Sequence, residues 1–188
     1  MAELLEFQTE RLRLRQWRDS DLATFAALNA DPKVMEFFPE PLSGHASNEM
    51  AGTIRSLIKQ RGWGFWAVEV KGVEPFIGFC GLHIPVATLP FSPCVEIGWR
   101  LSFAHWGNGY ASEAARGALD VGFQQLGLSE IVSFTTVGNQ RSRGVMERIG
   151  MTYSGEFEHP GLPEGSLLRP HVLYRLRREQ WEVEKPDH

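Results

Sequence analysis

The chain has 188 residues, of which 43% are hydrophobic and 22% are charged, so we expect residues 1–188 to form a single domain, because two ordinary domains need more chain. The formal net charge of −4 gives no long-range attraction for nucleic acid or for an anionic membrane surface. No apolar run approaches the roughly 18 residues of a membrane-spanning helix, and residues 1–10 lack the features of a signal peptide, so we expect a cytoplasmic protein.

The first third of the sequence predicts one strand followed by two helices. Leu12 and Leu14 alternate with arginines, which is typical of a strand with one solvated face. Asp19 or the serine after it can cap a helix that runs to about Asn29. Ser43 can cap a second helix. Its apolar residues recur at helical spacing and are Met50, Ile54, Leu57 and Ile58.

The rest of the sequence alternates between strands and helices. Three strands separated by turn residues favour an antiparallel meander, and they cover residues 65–70, 76–83 and 94–101. The clearest helix then follows, with mostly small residues at helical spacing from Ala111 to Leu126, so we place it close against the sheet. The last part predicts strands over 130–137, 151–157 and 171–176, with a short helix over 142–149.

The two cysteines, Cys80 and Cys94, lie on separate predicted strands. Neither belongs to a Cys-x-x-Cys pair or to a Cys/His cluster with the spacing of metal ligands. We therefore expect two reduced thiols and no metal site.

A glycine-containing loop joins the strand over 94–101 to the long helix. Gly107 and Gly109 allow a tight turn and a close approach of the backbone to a ligand. The amides of residues 108–112, at the helix start, can point at an anion with support from the helix dipole. This order of strand, glycine loop and helix is what a phosphate site requires, and it is also compatible with a structural turn.

Two other nucleotide-binding motifs do not match. A Rossmann fingerprint needs a third glycine where Ser112 stands, and an acidic residue where residues 133–136 read Ser, Phe, Thr, Thr. A P-loop needs Gly-Lys before Ser or Thr, but residues 108–110 read Asn, Gly, Tyr.

A second motif spans residues 138–153 and combines a strand end, a polar turn, a short helix and a glycine before a new strand. Asn139 and Ser142 are good turn and cap residues, so capping explains either of them taken alone.

Together the two motifs resemble the GNAT N-acetyltransferase superfamily, and its RimJ/RimL-like branch in particular. The run Trp106-Gly-Asn-Gly-Tyr-Ala111 is similar to the pyrophosphate-binding motif of that family. Asn139-x-x-Ser142 is similar to its second cofactor-side motif, and Glu96-Ile-Gly-Trp99 to the strand before the phosphate loop. The similarity extends over residues 7–181.

The resemblance implies an α+β fold, mixed α/β, in three layers. Its central, mostly antiparallel sheet has about seven strands, is splayed between the fourth and fifth, and is flanked by about four helices. It also implies acetyl-CoA as co-substrate, held between the strands over 94–101 and 130–137. The residues implied to bind it are Trp99, Leu101, Trp106, Gly107, Asn108, Gly109, Tyr110, Ala111, Ser112, Asn139 and Ser142. Candidates for its 3′-phosphate are Arg141, Arg143 and Arg148, which could equally form a solvated face.

The resemblance also implies catalytic roles for two residues. Many GNAT enzymes carry a tyrosine acid where this chain has Met146, so Ser142, one helical turn earlier, is the implied acid. Glu96 is the expected base, acting through water, because its neighbours point to the opposite sheet face and burial should raise its pKa. An ion-paired strand residue is the alternative for Glu96. Other polar candidates at strand ends are His83, Glu156, Glu158, His159 and His171. The acceptor pocket is expected from Phe37, Phe38, Pro39 and residues 157–169.

These features predict transfer of an acetyl group from acetyl-CoA to a primary amine by direct attack. At pH 7 a lysine amine is about 0.04% neutral and an α-amine about 14%, so we favour slightly the α-amine of a protein or peptide N-terminus. A small-molecule amine (an amino acid, a polyamine or an aminoglycoside) and an inert CoA-binding regulatory module, motivated by Met146, are the alternatives. We expect no nucleic-acid or membrane partner, and the resemblance implies a homodimer.

Overall fold

An eight-stranded sheet crosses the molecule in the order β1-β2-β3-β4-β5-β6-β8-β7, in a computed structural model that describes residues 2–184. All neighbouring strands are antiparallel except β5 and β6, which are parallel. The strands are β1 (Phe7–Gln8), β2 (Leu12–Arg15), β3 (Phe65–Val70), β4 (Glu74–His83), β5 (Glu96–Leu101), β6 (Glu130–Thr136), β7 (Thr152–Glu158) and β8 (Pro170–Arg177).

Helices cover both faces of this sheet. They are α1 (Leu22–Ala30), α2 (Gly44–Arg61), α3 (Tyr110–Asp120), α4 (Gln140–Arg148) and α5 (Arg178–Glu184). The expected cap of the second helix is confirmed, because the Ser43 side chain accepts a hydrogen bond from the Ala46 amide. At its other end Gly62 adopts a left-handed conformation with φ 86°, which favours glycine because it has no Cβ.

Two hydrophobic cores lie on opposite sides of the sheet. On one side, Phe25 of α1 and Ile54 of α2 pack on Phe76 and Phe79 of β4. On the other side, the small residues of α3 are buried against the strands: Ala114, Ala115 and Ala118. The three-layer mixed α/β architecture and the close packing of the small-faced helix are therefore confirmed.

Several expected element limits are wrong in detail. The sheet has eight strands rather than about seven, because two-residue β1 is too short to show an alternating pattern. A fifth helix, α5, was not expected. It begins directly after β8, and no turn residue between the two marks the helix start in the sequence. Cys94 precedes β5 and lies outside any strand, because β4 ends at His83, the partner of Glu96. The first helix begins at Leu22, after a short 3-10 turn over Asp19–Asp21.

The expected splay is confirmed, and it lies between β5 and β6, which correspond to the fourth and fifth expected strands because β1 was not expected. The two strands are in register only at Glu96 and Val132. Just beyond that point, the Ser133 hydroxyl donates a hydrogen bond of 2.9 Å to the Ile97 carbonyl, taking the place of a main-chain bond. Further along, the strands separate and leave a gap in the sheet.

Candidate functional site

A cavity of about 900 Å³ opens where β5 and β6 diverge. One half is lined by the β5–α3 loop and by α4, and the other half by aromatic side chains on the α1–α2 side of the sheet. The two halves meet at β5, where Glu96 and Trp99 both line the cavity. A long ligand that enters along the loop can therefore end beside Glu96.

The β5–α3 loop presents a run of free main-chain amides. Gly107 and Gly109 have φ angles of 77° and 78°, in the region where L side chains are strained. The amide of Glu113 makes the first helical bond, to the Gly109 carbonyl. Among the described residues, no acceptor bonds the amides of residues 107–112. Unpaired amides at the start of a helix suit a diphosphate.

The side chains of the loop fix its shape. Asn108 donates hydrogen bonds to the carbonyls of His105 and Trp106. The Trp106 indole donates to the Leu101 carbonyl at 3.0 Å, so that carbonyl already has a partner. Val95 and Ile97 direct their carbonyls towards β6, and by strand alternation Trp99 presents its main chain to the gap. Trp99 and Leu101 are the two β5 residues whose main chain is expected to contact the ligand. The Leu101 carbonyl already accepts a hydrogen bond, so the main chain of Trp99 is the more available of the two.

Glu113, in the first turn of α3, ties the opening strand to this loop. It accepts hydrogen bonds from the Thr9 hydroxyl at 2.6 Å, the Arg11 amide at 2.8 Å and the Arg11 side chain at 2.7 Å. Burial alone would raise the pKa of Glu113, but these hydrogen bonds outweigh it and hold the pKa below its usual value. The Glu113 carboxylate therefore has a structural role, because its hydrogen bonds join the start of α3 to the chain before β2.

Asn139 and Ser142 lie at the start of α4, facing the loop across the cavity. Asn139 caps the helix, because its side-chain oxygen accepts from the Ser142 amide at 3.3 Å and its side-chain amide donates to Thr135 at 3.0 Å. The Ser142 hydroxyl has no hydrogen-bond partner within residues 2–184 and lines the cavity. Met146, one turn later, is buried in the same wall.

The three arginines of α4 have different surroundings. Arg141 and Arg148 line the cavity, where Arg148 donates to the Ser112 hydroxyl at 3.2 Å. Arg143 instead donates to the Val137 carbonyl at 2.9 Å and does not line the cavity. Arg143 is therefore the weakest of the three candidates for a phosphate contact.

Glu96 lies in the cavity wall at the start of β5. Burial raises the pKa of its carboxyl to about 8. Among the described residues no group donates a hydrogen bond or forms an ion pair with this carboxyl, so the ion-paired alternative is wrong. At pH 7 about a tenth of such a carboxyl is ionised, and this fraction, which grows as the pH rises through about 8, can accept a proton.

The α1–α2 side of the cavity is rich in aromatic rings. Of the residues expected there, Phe37, Phe38, His83, His159 and His171 line it, while Pro39, Glu156 and Glu158 do not. Burial lowers the pKa of all three histidines, so they are neutral at pH 7. Glu96 is the only acidic residue among the described residues that line the cavity.

Sequence reasoning missed Arg100, on the same face of β5 as Glu96. Its guanidinium donates to the Asn29 side-chain oxygen at 2.9 Å and lies over the rings of Phe38 and Phe79, at 4.5 and 5.4 Å. Burial lowers its pKa to about 10. No carboxylate pairs with it among the described residues. The sequence alone does not show this environment of Arg100, because the residues that surround it are distant in sequence.

Thr136, at the end of β6, was also missed. Its side-chain oxygen is buried and is the only such atom in the described part of the chain without a hydrogen-bond partner. The residue lines the cavity, but the oxygen itself is buried and presents no accessible surface to a ligand.

Two other features bear on the kind of protein. Over residues 2–184, no three His, Cys, Asp or Glu side chains are grouped so that they could hold a metal ion. No helix in the same range is both long and apolar enough to cross a membrane.

The sequence model of the acetyltransferase (GNAT) domain family matches residues 11–152. Among curated proteins, the uncharacterized protein YkkB of Bacillus subtilis is 37% identical over 147 residues, 78% of this chain and 84% of its own. The FsC-acetyl coenzyme A-N(2)-transacetylase of Aspergillus fumigatus is 31% identical and is matched over 85% of this chain and 71% of its own.

Among solved structures, a GNAT-family acetyltransferase from Bacillus anthracis superimposes with a TM-score of 0.78. The match covers 93% of this chain and 99% of that one, at 24% sequence identity. This similarity establishes the common fold.

Proposed function

The chain belongs to the GNAT family of acetyltransferases and transfers the acetyl group of acetyl-CoA to an amine; we propose that the amine is an α-amine, with the N-terminus of a protein or peptide as the favoured source. The observation that carries this proposal is the state of Glu96. Its carboxyl lies in the cavity without a partner among the described residues and has a pKa of about 8. That value is close to the pKa of an α-amine, about 7.8, and far from that of lysine, about 10.4.

The charges in the cavity also favour an α-amine over a polycation. Glu96 is the single acidic residue among its described lining residues, whereas Arg100, which pairs with no carboxylate among them, contributes positive charge on the acceptor side. A polyamine or an aminoglycoside would bring several further positive charges into this cavity, and like charges repel strongly where water is excluded. These two small-molecule classes are therefore the less favoured acceptors.

The proposed chemistry assigns one role to each polar group. Glu96 accepts, through a water molecule, the proton that the attacking amine loses as the new N–C bond forms. The Ser142 hydroxyl donates a hydrogen bond to the sulfur, which leaves as a thiolate when the C–S bond breaks and then takes a proton from water, while Glu96 returns its proton to water. The net reaction therefore moves one proton from nitrogen to sulfur.

The donor is held along the other half of the cavity. The amides of residues 107–112 suit the diphosphate, and the main chain of Trp99 suits the pantetheine arm as an added strand would. Acetyl-CoA supplies the activated acetyl group. Asn139 acts on this assembly indirectly, because its side chain orients the first turn of α4 and with it Ser142.

A catalytically inert CoA-binding module is the second candidate, because Met146 has no proton to donate. Thiol release separates the two. We expect free thiol when acetyl-CoA is mixed with a peptide that has a free N-terminus, little with a polyamine, and none with an N-terminally blocked peptide. Binding of acetyl-CoA without thiol release from any amine would favour the inert module.

We also propose that residues 1–188 form one domain. The support is the single sheet, in which β1 near the N-terminus and β8 near the end of the described residues belong to one set of paired strands. The homodimer stays a prediction from the family resemblance.

A further inference from the structure

The Arg100 guanidinium is a charge without a counter-charge. Its hydrogen-bond partners are neutral: the Asn29 side-chain oxygen at 2.9 Å and the Met50 sulfur at 3.5 Å. Both bonds use the same nitrogen, Nη1. A buried cation is normally paired with an anion, because desolvation of an isolated charge is costly.

The remaining nitrogens of Arg100 face the cavity. Nε and Nη2 have no hydrogen-bond partner among the described residues, yet neither is among the fully buried atoms that lack one. They therefore retain accessible surface, and Arg100 lines the cavity. Two adjacent nitrogens of one guanidinium match the two oxygens of a carboxylate.

The position of Arg100 points to the acceptor rather than to the donor. Its neighbours Asn29, Met50, Phe38 and Phe79 all belong to the α1–α2 side of the sheet or to the helices and connecting segment that cover it. The free amides that suit a diphosphate lie on the β5–α3 loop, in the other half of the cavity.

From this geometry we propose that Arg100 determines acceptor specificity by binding an anionic group of the acceptor, so that the substrate is an amine that also carries a carboxylate. The proposal rests on the acetyl transfer to an α-amine argued above. Glu96 and Arg100 are four residues apart on one face of β5, so their Cα atoms are about 13 Å apart. The amine and the anionic group are thus held at opposite ends of the acceptor side of the cavity.

An acidic side chain of a peptide can supply a carboxylate at this distance from the amine. A free amino acid carries its amine and α-carboxylate on one carbon and is the source that the experiment is expected to exclude. The experiment compares matched acceptors with acetyl-CoA and measures kcat/KM by thiol release. One pair is alanine and alanine amide. The others are tripeptide amides with aspartate or asparagine at the first, second or third residue.

We expect the wild-type enzyme to prefer the acidic member of at least one pair by about tenfold or more, since a charge-assisted hydrogen bond is stronger than a neutral one. Arg100→Gln should reduce kcat/KM for that acidic acceptor by about 30- to 100-fold and for its neutral partner by less than about threefold. Arg100→Lys, which keeps the charge without the two-pronged geometry, should lie between them.

Arg55→Gln is the matched control, because Arg55 is a partly exposed arginine of α2 that pairs with Asp19 outside the cavity. This variant should keep the wild-type preference. Like Arg100→Gln, it removes one positive charge, but from α2, one of the helices that cover the acceptor side.

Three results would overturn the proposal. The first is no preference of the wild-type enzyme within any pair. The second is an equal loss of kcat/KM for both members in Arg100→Gln, which a purely structural bond to Asn29 would cause. A change confined to the KM of acetyl-CoA, or to the use of succinyl-CoA in its place, would assign Arg100 to the donor. If no amine released thiol, the proposed function would fail, and calorimetry of acidic and neutral peptides with wild type and Arg100→Gln would still decide whether Arg100 binds an anion.

Discussion

Glu96 and His83 lie directly opposite each other in the antiparallel pair of β5 and β4, and both line the cavity. His83 stacks on the ring of Phe65, with the ring centres 5.1 Å apart. Burial, assisted by the charge of Arg61, lowers the pKa of His83, so at pH 7 it is a neutral neighbour. It therefore provides no positive charge that would counteract the effect of burial on Glu96.

The first prediction concerns Glu96 as the base. Glu96→Gln should lower kcat/KM at pH 7 by about 100-fold or more, because glutamine cannot accept the proton of the amine. In the wild type, kcat/KM should rise with pH through about 8, where the Glu96 carboxyl loses its proton. High pH should partly rescue the variant by supplying neutral amine. The measurement is the pH profile of thiol release.

Glu156→Gln is the control for this experiment, because Glu156 is an exposed residue of β7 outside the cavity. It should have the wild-type profile. Because the acceptor α-amine itself titrates at about 7.8, the slope of log kcat/KM against pH below that value decides: it should approach about 2 in the wild type, where both the amine and Glu96 must lose a proton, and about 1 in Glu96→Gln. A slope of about 2 in Glu96→Gln would show that Glu96 is not the base.

The second prediction concerns stability. The pKa of Glu96 is about 8 in the folded chain, above the usual value of 4.5. Below pH 4.5 the carboxyl is protonated in both states, and between 4.5 and 8 only the unfolded state releases the proton. The wild type should therefore lose stability over this range relative to Glu96→Gln, with a slope approaching about 1.4 kcal/mol per pH unit. Urea unfolding of both proteins at pH 5, 6.5 and 8 measures the difference, and a constant difference would contradict the raised pKa.

The donor half of the site is predicted from local sequence patterns together with the family resemblance, and the roles of its residues stay predictions. The glycines of the β5–α3 loop, the cap at Asn139 and the position of Glu96 at a strand start depend on residues close together in sequence. Alternation along a strand also gives the face on which Glu96 lies. The splay between β5 and β6 was implied by the family resemblance and not by these local patterns.

The acceptor half could not be predicted in this way. Arg100 is a single arginine within a strand, and nothing near it in sequence shows that its counter-charge is missing. Its neighbours Asn29 and Met50 precede it by 71 and 50 residues and reach it only when α1 and α2 fold over the sheet. Likewise, the partnerless state of the Thr136 hydroxyl is a property of the packed cavity.

The third prediction concerns the phosphate loop. Gly107→Asp should weaken acetyl-CoA binding by about 100-fold, because it places a negative charge and a Cβ beside the free amides. Gly72→Asp is a close control: its φ of 71° compares with 77° at Gly107, and a Cβ at either position meets no atom within 4 Å. Both variants should lose similar stability, about 1–2 kcal/mol, from the strained φ.

Only Gly107→Asp should lose affinity in calorimetric titration with acetyl-CoA, because Gly72 lies in the turn between β3 and β4. Equal affinities in the two variants would count against the loop as the diphosphate site.

The fourth prediction concerns Ser142. Ser142→Ala should lower kcat by about tenfold and change the Kd of acetyl-CoA by less than about threefold, because the hydroxyl acts on the departing sulfur. Ser142→Thr keeps a hydroxyl and should retain more activity than the alanine variant. Equal losses in kcat and in affinity would instead make Ser142 a contact to the donor only.

The fifth prediction uses Thr136 and its neighbour Thr135, which differ in one respect. The Thr135 hydroxyl accepts a hydrogen bond of 3.0 Å from Asn139, whereas the buried Thr136 hydroxyl has no partner in the described part of the chain. Valine has the shape of threonine without the hydroxyl. Thr135→Val should therefore lower the free energy of unfolding by about 1 kcal/mol, and Thr136→Val should raise it by a similar amount.

Thr136→Val should keep kcat/KM within about threefold of the wild type, because the hydroxyl is buried and presents no surface to a ligand in the cavity. Urea unfolding of the two variants measures the change in stability, and thiol release measures the change in activity. If Thr136→Val destabilised the chain as much as Thr135→Val, its hydroxyl would have a partner within the folded protein, and its role would be structural. The opposite signs expected at adjacent residues of one strand thus distinguish a buried hydroxyl without a partner from one whose hydrogen bond holds the fold.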